Sequence, residues 1–191
     1  MGHAIGPWQR RAAAMIADKA VAYLDEPVEL ASGKMSSVFI DAKHGLADPH
    51  DLETACRAII EMADSVGCRF DHVGGPTLGA DHLAVGVALL GSKRWFIVRK
   101  ERKGRGTGRL IEGARIGAGD SVLLVEDICS TGGSLLKALQ DVRATGAAVT
   151  HAATLVDRGV VARAAFQDAG VELLAVTTWN ELGIDPIEGP R

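Results

Sequence analysis

One segment restricts the fold of this chain more than any other. Ser121-Val122-Leu123-Leu124-Val125 passes directly into Glu126-Asp127, then into a small, hydroxyl- and glycine-rich turn, Ile128-Cys129-Ser130-Thr131-Gly132-Gly133, and then into a helical pattern from Ser134 to Ala144. An apolar run without polar alternation suits a central parallel strand covered on both faces. After Gly146 come a strand pattern at Val149–Val156, a helix at Val160–Ala169 closed by Gly170, and a strand at Val171–Val176. Strand, helix, strand, helix, strand implies right-handed crossovers and an α/β fold with a mostly parallel sheet flanked by helices. The first half predicts helices at Trp8–Tyr23, Asp51–Val66 (ended by Gly67) and Asp81–Leu90. It also predicts strands at Phe70–Val73 and Trp95–Val98, a short apolar stretch at Val38–Ile40, and a polar, glycine-rich segment from Arg99 to Gly119. The 191 residues suit a single domain, and with 4% aromatics its core must be built from Ala, Val, Leu and Ile.

Ligands of such sheets bind beyond the C-terminal ends of the strands. That rule selects Gly74–Gly79, Glu126–Ser134 and Asp157-Arg158. A net charge of -3 argues against a nucleic-acid platform. Three cysteines, Cys56, Cys68 and Cys129, lack metal-ligand spacing and suit a reducing, cytoplasmic location. No apolar run approaches the roughly 18 residues of a membrane span, and the N-terminus lacks the apolar core of a signal peptide.

The turn after Asp127 offers backbone N–H groups and hydroxyls to an anion at a helix N-terminus. It is neither a Walker loop nor a G-x-G-x-x-G dinucleotide loop. The two carboxylates ahead of it are suited to accept hydrogen bonds from sugar hydroxyls and to stabilise a sugar cation. The plainer reading is a capping turn with Ser130 or Thr131 at the helix start. A second feature points the same way. Arg99 to Arg109 carries six basic residues, one acid and three glycines, so it is +5 inside a chain of -3. A basic, glycine-rich loop suits closure over an oligo-anion.

The Val125–Ser134 segment resembles the phosphoribosyl diphosphate (PRPP) motif of type I phosphoribosyltransferases. The arrangement Arg99-Lys100-x-x-Lys103-x-x-Gly106, followed by Leu110-Ile111-Glu112-Gly113, resembles the catalytic loop of the orotate phosphoribosyltransferases among them. The resemblance spans roughly residues 30 to 183. It implies the type I phosphoribosyltransferase fold as one domain over 1–191, with a small N-terminal hood contributed mainly by about 1–45. It implies transfer of the phosphoribosyl group of PRPP to orotate, giving orotidine 5'-monophosphate and pyrophosphate in pyrimidine (UMP) biosynthesis.

Residue by residue, the resemblance assigns Glu126 and Asp127 to the ribose hydroxyls, and Lys103, Arg105, Glu126 and Asp127 to catalysis. PRPP contacts fall to Lys34, Arg99, Lys100, Lys103, Arg105 and the turn Ile128, Cys129, Ser130, Thr131, Gly132, Gly133 and Ser134. Ser130, Arg158 and Phe39 would hold orotate, a guanidinium fork suiting a planar carboxylate. It implies Mg²⁺ held mainly through PRPP and water rather than by protein ligands, and a homodimer whose subunits share the basic loop. It implies neither nucleic acid nor membrane as a partner. Gly74–Asp81 resembles the pyrophosphate loop. The chain departs from the family pattern at Ala31 (often Lys), near Leu78 (Lys in some relatives), at His82 (often Pro) and at Arg105 (usually His), where Arg keeps the charge and gives up titration. These departures leave open a phosphoribosyltransferase for another base; a PRPP-sensing regulator without catalysis is the alternative of another class.

Overall fold

The computed structural model describes residues 5–30, 33, 35–101 and 109–187. Lys34, Lys103 and Arg105, and with them the middle of the basic loop, lie outside the described residues.

The chain order is α1 (Pro7–Lys19), β1 (Val21–Glu29), β2 (Met35–Ile40), α2 (Ala42–Gly45), α3 (Pro49–Ser65), β3 (His72–Pro76), α4 (Asp81–Gly91), β4 (Arg94–Val98), β5 (Ile111–Gly113), β6 (Ser121–Cys129), α5 (Gly133–Arg143), β7 (Ala148–Asp157), α6 (Ala162–Asp168) and β8 (Glu172–Thr178). Among the described residues the main sheet has six strands in the order β5-β4-β3-β6-β7-β8, all parallel except β5. β1 and β2 form a separate antiparallel hairpin.

The unbroken apolar run of β6 is used on both faces. Leu123 and Val125 join the core layer filled by α1, α3 and α4, while Val122 and Leu124 join the layer filled by α5 and α6. Alternate side chains of a strand point to opposite faces, so the doubly covered stretch Val122–Val125 is apolar at every position. α1 belongs to the first layer, with Ala12, Met15 and Ile16 buried in it, and the Gln9 amide donates to the carbonyls of Ala175 and Val176 in β8. The part of residues 1–45 that stands over the sheet's ligand edge is therefore the β1–β2 hairpin.

Four expectations change. The first helix stops at Lys19, and Val21-Ala22-Tyr23 begin β1 instead, because pairing with Ile40, Phe39 and Val38 outweighs the helical periodicity. The rest of β1 is mixed and mostly exposed. Its ladder shifts register between Tyr23 and Val28, around Pro27, which has no N–H to contribute. β3 begins later than expected and runs through Gly74-Gly75-Pro76, which had read as loop. These glycines are strand interior because neighbouring strands crowd them. A Cβ on Gly74 would lie 2.4 Å from the Phe96 carbonyl oxygen, and one on Gly75 would lie 1.9 Å from that of Val125. β5 is a three-residue edge strand inside the segment read as irregular. β6 continues past Val125, so Glu126 and Asp127 lie within the strand, with Glu126 in register with Thr154 and Cys129 with Asp157.

β3 and β6 are neighbours, but β3 connects onward to β4 on one side and β6 to β7 on the other. A cleft opens at the C-terminal ends of strands whose connections diverge in this way.

Candidate active site

The cleft has two connected parts. The inner part, about 340 Å³, is lined by Leu30, Phe39, Ile40, Arg158 and the whole run Glu126 to Leu135. The outer part, about 870 Å³, is lined by Pro76 to Gly79 and by Arg99, Lys100 and Glu101. Lys43, Glu126, Asp127, Ile128 and Ser134 belong to both parts.

The turn after β6 leads into α5 through Gly132, whose φ is +80° and which caps the helix without any side-chain hydrogen bond. Ser130 and Thr131 are therefore not the cap, and the capping-turn reading gives way. The turn is braced from behind. A Cβ on Gly132 would sit 3.3 Å from the Phe166 ring, and one on Gly159 would lie 1.6 Å from the Ser130 carbonyl oxygen. The amide of Arg158 donates to the Cys129 carbonyl (2.8 Å), so the end of β7 holds the turn. Burial pushes the Cys129 thiol up to about 12, which leaves it an inert wall residue.

Glu126 and Asp127 are both buried at the junction of the two parts. Asp127 Oδ1 accepts from the Ile128 amide (2.7 Å), and Oδ2 accepts from Lys43 Nζ (3.0 Å). Glu126 Oε1 accepts from the Asp127 amide at 3.3 Å. Desolvation first, and the neighbouring Asp127 charge second, push the Glu126 carboxyl up to about 9. Burial therefore favours the protonated form of Glu126, while Asp127 is paired with Lys43. Gly79 closes over both: a Cβ there would lie 2.2 Å from Glu126 Oε1 and 2.4 Å from Asp127 Oδ1. Behind this loop, the Thr77 hydroxyl donates to Asp81 (2.9 Å). His82 has a buried Nε2 with no partner among the described residues, and burial lowers its pKa, which favours the neutral ring.

At the inner end, Arg158 is 3% exposed. Its Nη2 donates to the Ser36 hydroxyl (3.0 Å) and the Val38 carbonyl (2.7 Å), which ties β7 to the hood strand that carries Phe39. Its Nε is buried without a partner among the described residues, and burial lowers its pKa. Its neighbour Asp157 is spoken for by Arg163 (2.8 Å). No carboxylate pairs with Arg158 among the described residues.

At the outer end, Arg99 Nη1 lies 3.6 Å from Glu112 Oε1, and the Arg99 amide donates to Leu110, so the basic loop leaves from a closed base. The structure thus brings together Phe39, Arg99, Lys100, Glu126 through Ser134 and Arg158. Sequence reasoning missed Lys43, which no pattern marks, and gave no separate role to Gly79 or Ser36. The arrangement can hold a phosphate at α5, a polyol at the acid pair, an anion in the outer part and a flat acid beside Arg158.

The profile of a family described as phosphoribosyl transferase domain matches residues 46–172. The chain is 42% identical over 153 residues to the orotate phosphoribosyltransferase of Pyrococcus furiosus, covering 80% of this chain and 84% of that one. Its fold is similar to the crystal structure of orotate phosphoribosyltransferase from Aeropyrum pernix, with a TM-score of 0.77, 33% identity and coverage of 89% and 94%. It is also similar to the Mycobacterium tuberculosis enzyme solved in complex with PRPP, with a TM-score of 0.74, 28% identity and coverage of 93% and 100%.

Proposed function

Since this chain belongs to the orotate phosphoribosyltransferase family, we propose that it transfers the phosphoribosyl group of PRPP to orotate, releasing pyrophosphate, as a step of UMP biosynthesis. The observation that carries the choice of base is Arg158. A buried guanidinium that lines the cleft and lacks a carboxylate partner among the described residues is costly to the empty protein. A ligand carboxylate beside it supplies the missing charge, and orotate, unlike adenine or uracil, has one.

The geometry supports the following assignment. The 5-phosphate binds the backbone amides and hydroxyls from Ser130 to Ser134, where α5 presents an N-terminus without a side-chain cap. The ribose lies at the junction of the two cleft parts, with its hydroxyls on Glu126 and Asp127. The diphosphate occupies the outer part beside Arg99, Lys100 and the Thr77–Gly79 loop. Orotate lies in the inner part, with Phe39 at its face, Arg158 at its carboxylate and Ser130 at its edge. As the bond from C1 to the diphosphate lengthens, positive charge grows on the ribose and negative charge on the leaving group. Asp127 meets the first. Arg99, Lys100 and the loop residues Lys103 and Arg105 meet the second. The base nitrogen then attacks C1. Positioning and charge suffice, and no covalent nucleophile is required.

Glu126 and Asp127 are hard oxygen donors, and no cluster of three or more candidate metal ligands exists among the described residues. Mg²⁺ therefore fits as an ion carried mainly by the oxygens of PRPP and water, with this acid pair as the nearest protein donors. When bound it neutralises diphosphate charge.

The whole chain acts as a single domain, and a homodimer shares the basic loop between subunits. Support comes from α4 and β4, which expose Val85 and Leu89 (80%) on the helix and Trp95 on the strand, and β4 leads straight into Arg99. An apolar surface of that kind suits a second copy. The three buried free thiols suit a cytoplasmic location, and no helix among the described residues is long and apolar enough to cross a membrane. The test is pyrophosphate release from PRPP with orotate, uracil, adenine or hypoxanthine in turn. Release should require orotate; equal release with a base that lacks a carboxylate would overturn the assignment of Arg158.

A further inference from the structure

Lys43 stands in the short helix α2, between the hood and the core, with about half of its side chain exposed. Its ammonium reaches across to Asp127 Oδ2 at 3.0 Å and borders both parts of the cleft. The other cations that line the described cleft lie at its ends, Arg99 and Lys100 outside and Arg158 inside. The Thr77–Gly79 loop brings no charge of its own, and Leu78 points 71% exposed from it. The bond that must break joins the ribose to the diphosphate, so it lies at the junction, where Lys43 is the cation at hand.

The two oxygens of Asp127 are already engaged, one by the Ile128 amide and one by Lys43. A ribose hydroxyl that binds Asp127 must therefore compete with the ammonium. A lysine has a long flexible stem and a charge that re-pairs at little cost when another anion is near. Resting on the reading of this cleft as a PRPP site, we infer that Lys43 is a further substrate-binding residue. It neutralises Asp127 in the empty enzyme, yields Asp127 to the ribose, and moves its ammonium to the diphosphate at the side nearest the breaking bond. The same residue then opposes ribose binding and favours diphosphate binding.

Those opposite signs separate this role from a structural one. Wild type, Lys43→Met and Lys43→Arg are titrated calorimetrically with ribose 5-phosphate and, separately, with inorganic pyrophosphate in magnesium buffer. Methionine keeps the stem and removes the charge. Lys43→Met should bind pyrophosphate about 10-fold more weakly, which is roughly 1.4 kcal/mol, and ribose 5-phosphate as tightly as wild type or more tightly. Lys43→Arg should restore most of the pyrophosphate affinity. Equal weakening for both probes would make Lys43 a structural residue, and unchanged pyrophosphate affinity in Lys43→Met would place its charge outside the site; either overturns the inference. If wild type binds neither probe, the PRPP reading of the cleft falls first and this inference with it.

Discussion

Glu126→Gln should stabilise the ligand-free protein while disabling the reaction. Burial, reinforced by Asp127, raises the Glu126 carboxyl from its ordinary value of 4.5 to about 9. A carboxyl whose folded value lies above its unfolded value binds a proton more tightly in the folded state. Stability is then full below pH 4.5 and is lost as pH rises from there toward 9. From 4.5 to 7 is about 2.5 pH units, and each is worth about 1.36 kcal/mol, so the ceiling at neutral pH is about 3 kcal/mol. The acid pair shares its titration and faces an open cleft, so about 1–2 kcal/mol is the working expectation. Glutamine keeps the shape and the acceptor for the Asp127 amide without the titration. For a chain of this length 1 kcal/mol moves Tm by roughly 2–4 °C, so Glu126→Gln should melt roughly 3–6 °C above wild type at pH 7. Melting is compared at fixed protein concentration at pH 5 and pH 8. The gain should be small at pH 5, which lies close to the unfolded value of 4.5, and larger at pH 8. A gain that is equal at the two pH values, or a loss at pH 8, would show that Glu126 is not held protonated by the fold.

Three other outcomes follow from the geometry. Gly79→Ala places a methyl within 2.4 Å of both carboxylates, so the acids must move; turnover should fall roughly 100-fold with the fold intact, whereas Gly75→Ala, aimed at the Val125 backbone, should lower Tm instead. Steady-state kinetics and melting curves read the contrast, and the two variants behaving alike would contradict it. Arg158→Ala should raise the orotate KM roughly 10- to 100-fold, as expected for charge-assisted hydrogen bonds, and leave the PRPP KM nearly unchanged; unaltered orotate saturation would move the carboxylate partner elsewhere. Mixing inactive Lys103→Ala with inactive Asp127→Asn should recover about a quarter of wild-type activity if a shared loop completes one site in each mixed dimer. Demonstrated subunit exchange without recovery would confine the loop to its own chain.

Much of this protein is written locally. The uninterrupted run of β6, each glycine that closes α3, α5 or α6, and the acid pair ahead of a glycine-rich turn can each be read from a window of a few residues. Local periodicity and turn chemistry therefore reveal the parallel sheet and the glycine-rich turn that ends its central strand. The position of Arg158 at the cleft was legible because it directly follows a strand pattern at the sheet's C-terminal edge. The rest was settled through space. β1 starts within a helical periodicity and runs on through Asp25-Glu26-Pro27, so it exists by pairing with β2. Gly74 and Gly75 look like a turn until the crowding by Phe96 and Val125 is seen. Gly79 matters because two carboxylates nearly 50 residues downstream pack against it, and Ser36 because it holds Arg158 from 122 residues away. Lys43 meets Asp127 across 84 residues of chain. The lysine partner of Asp127 comes from another element, and no sequence window contains both.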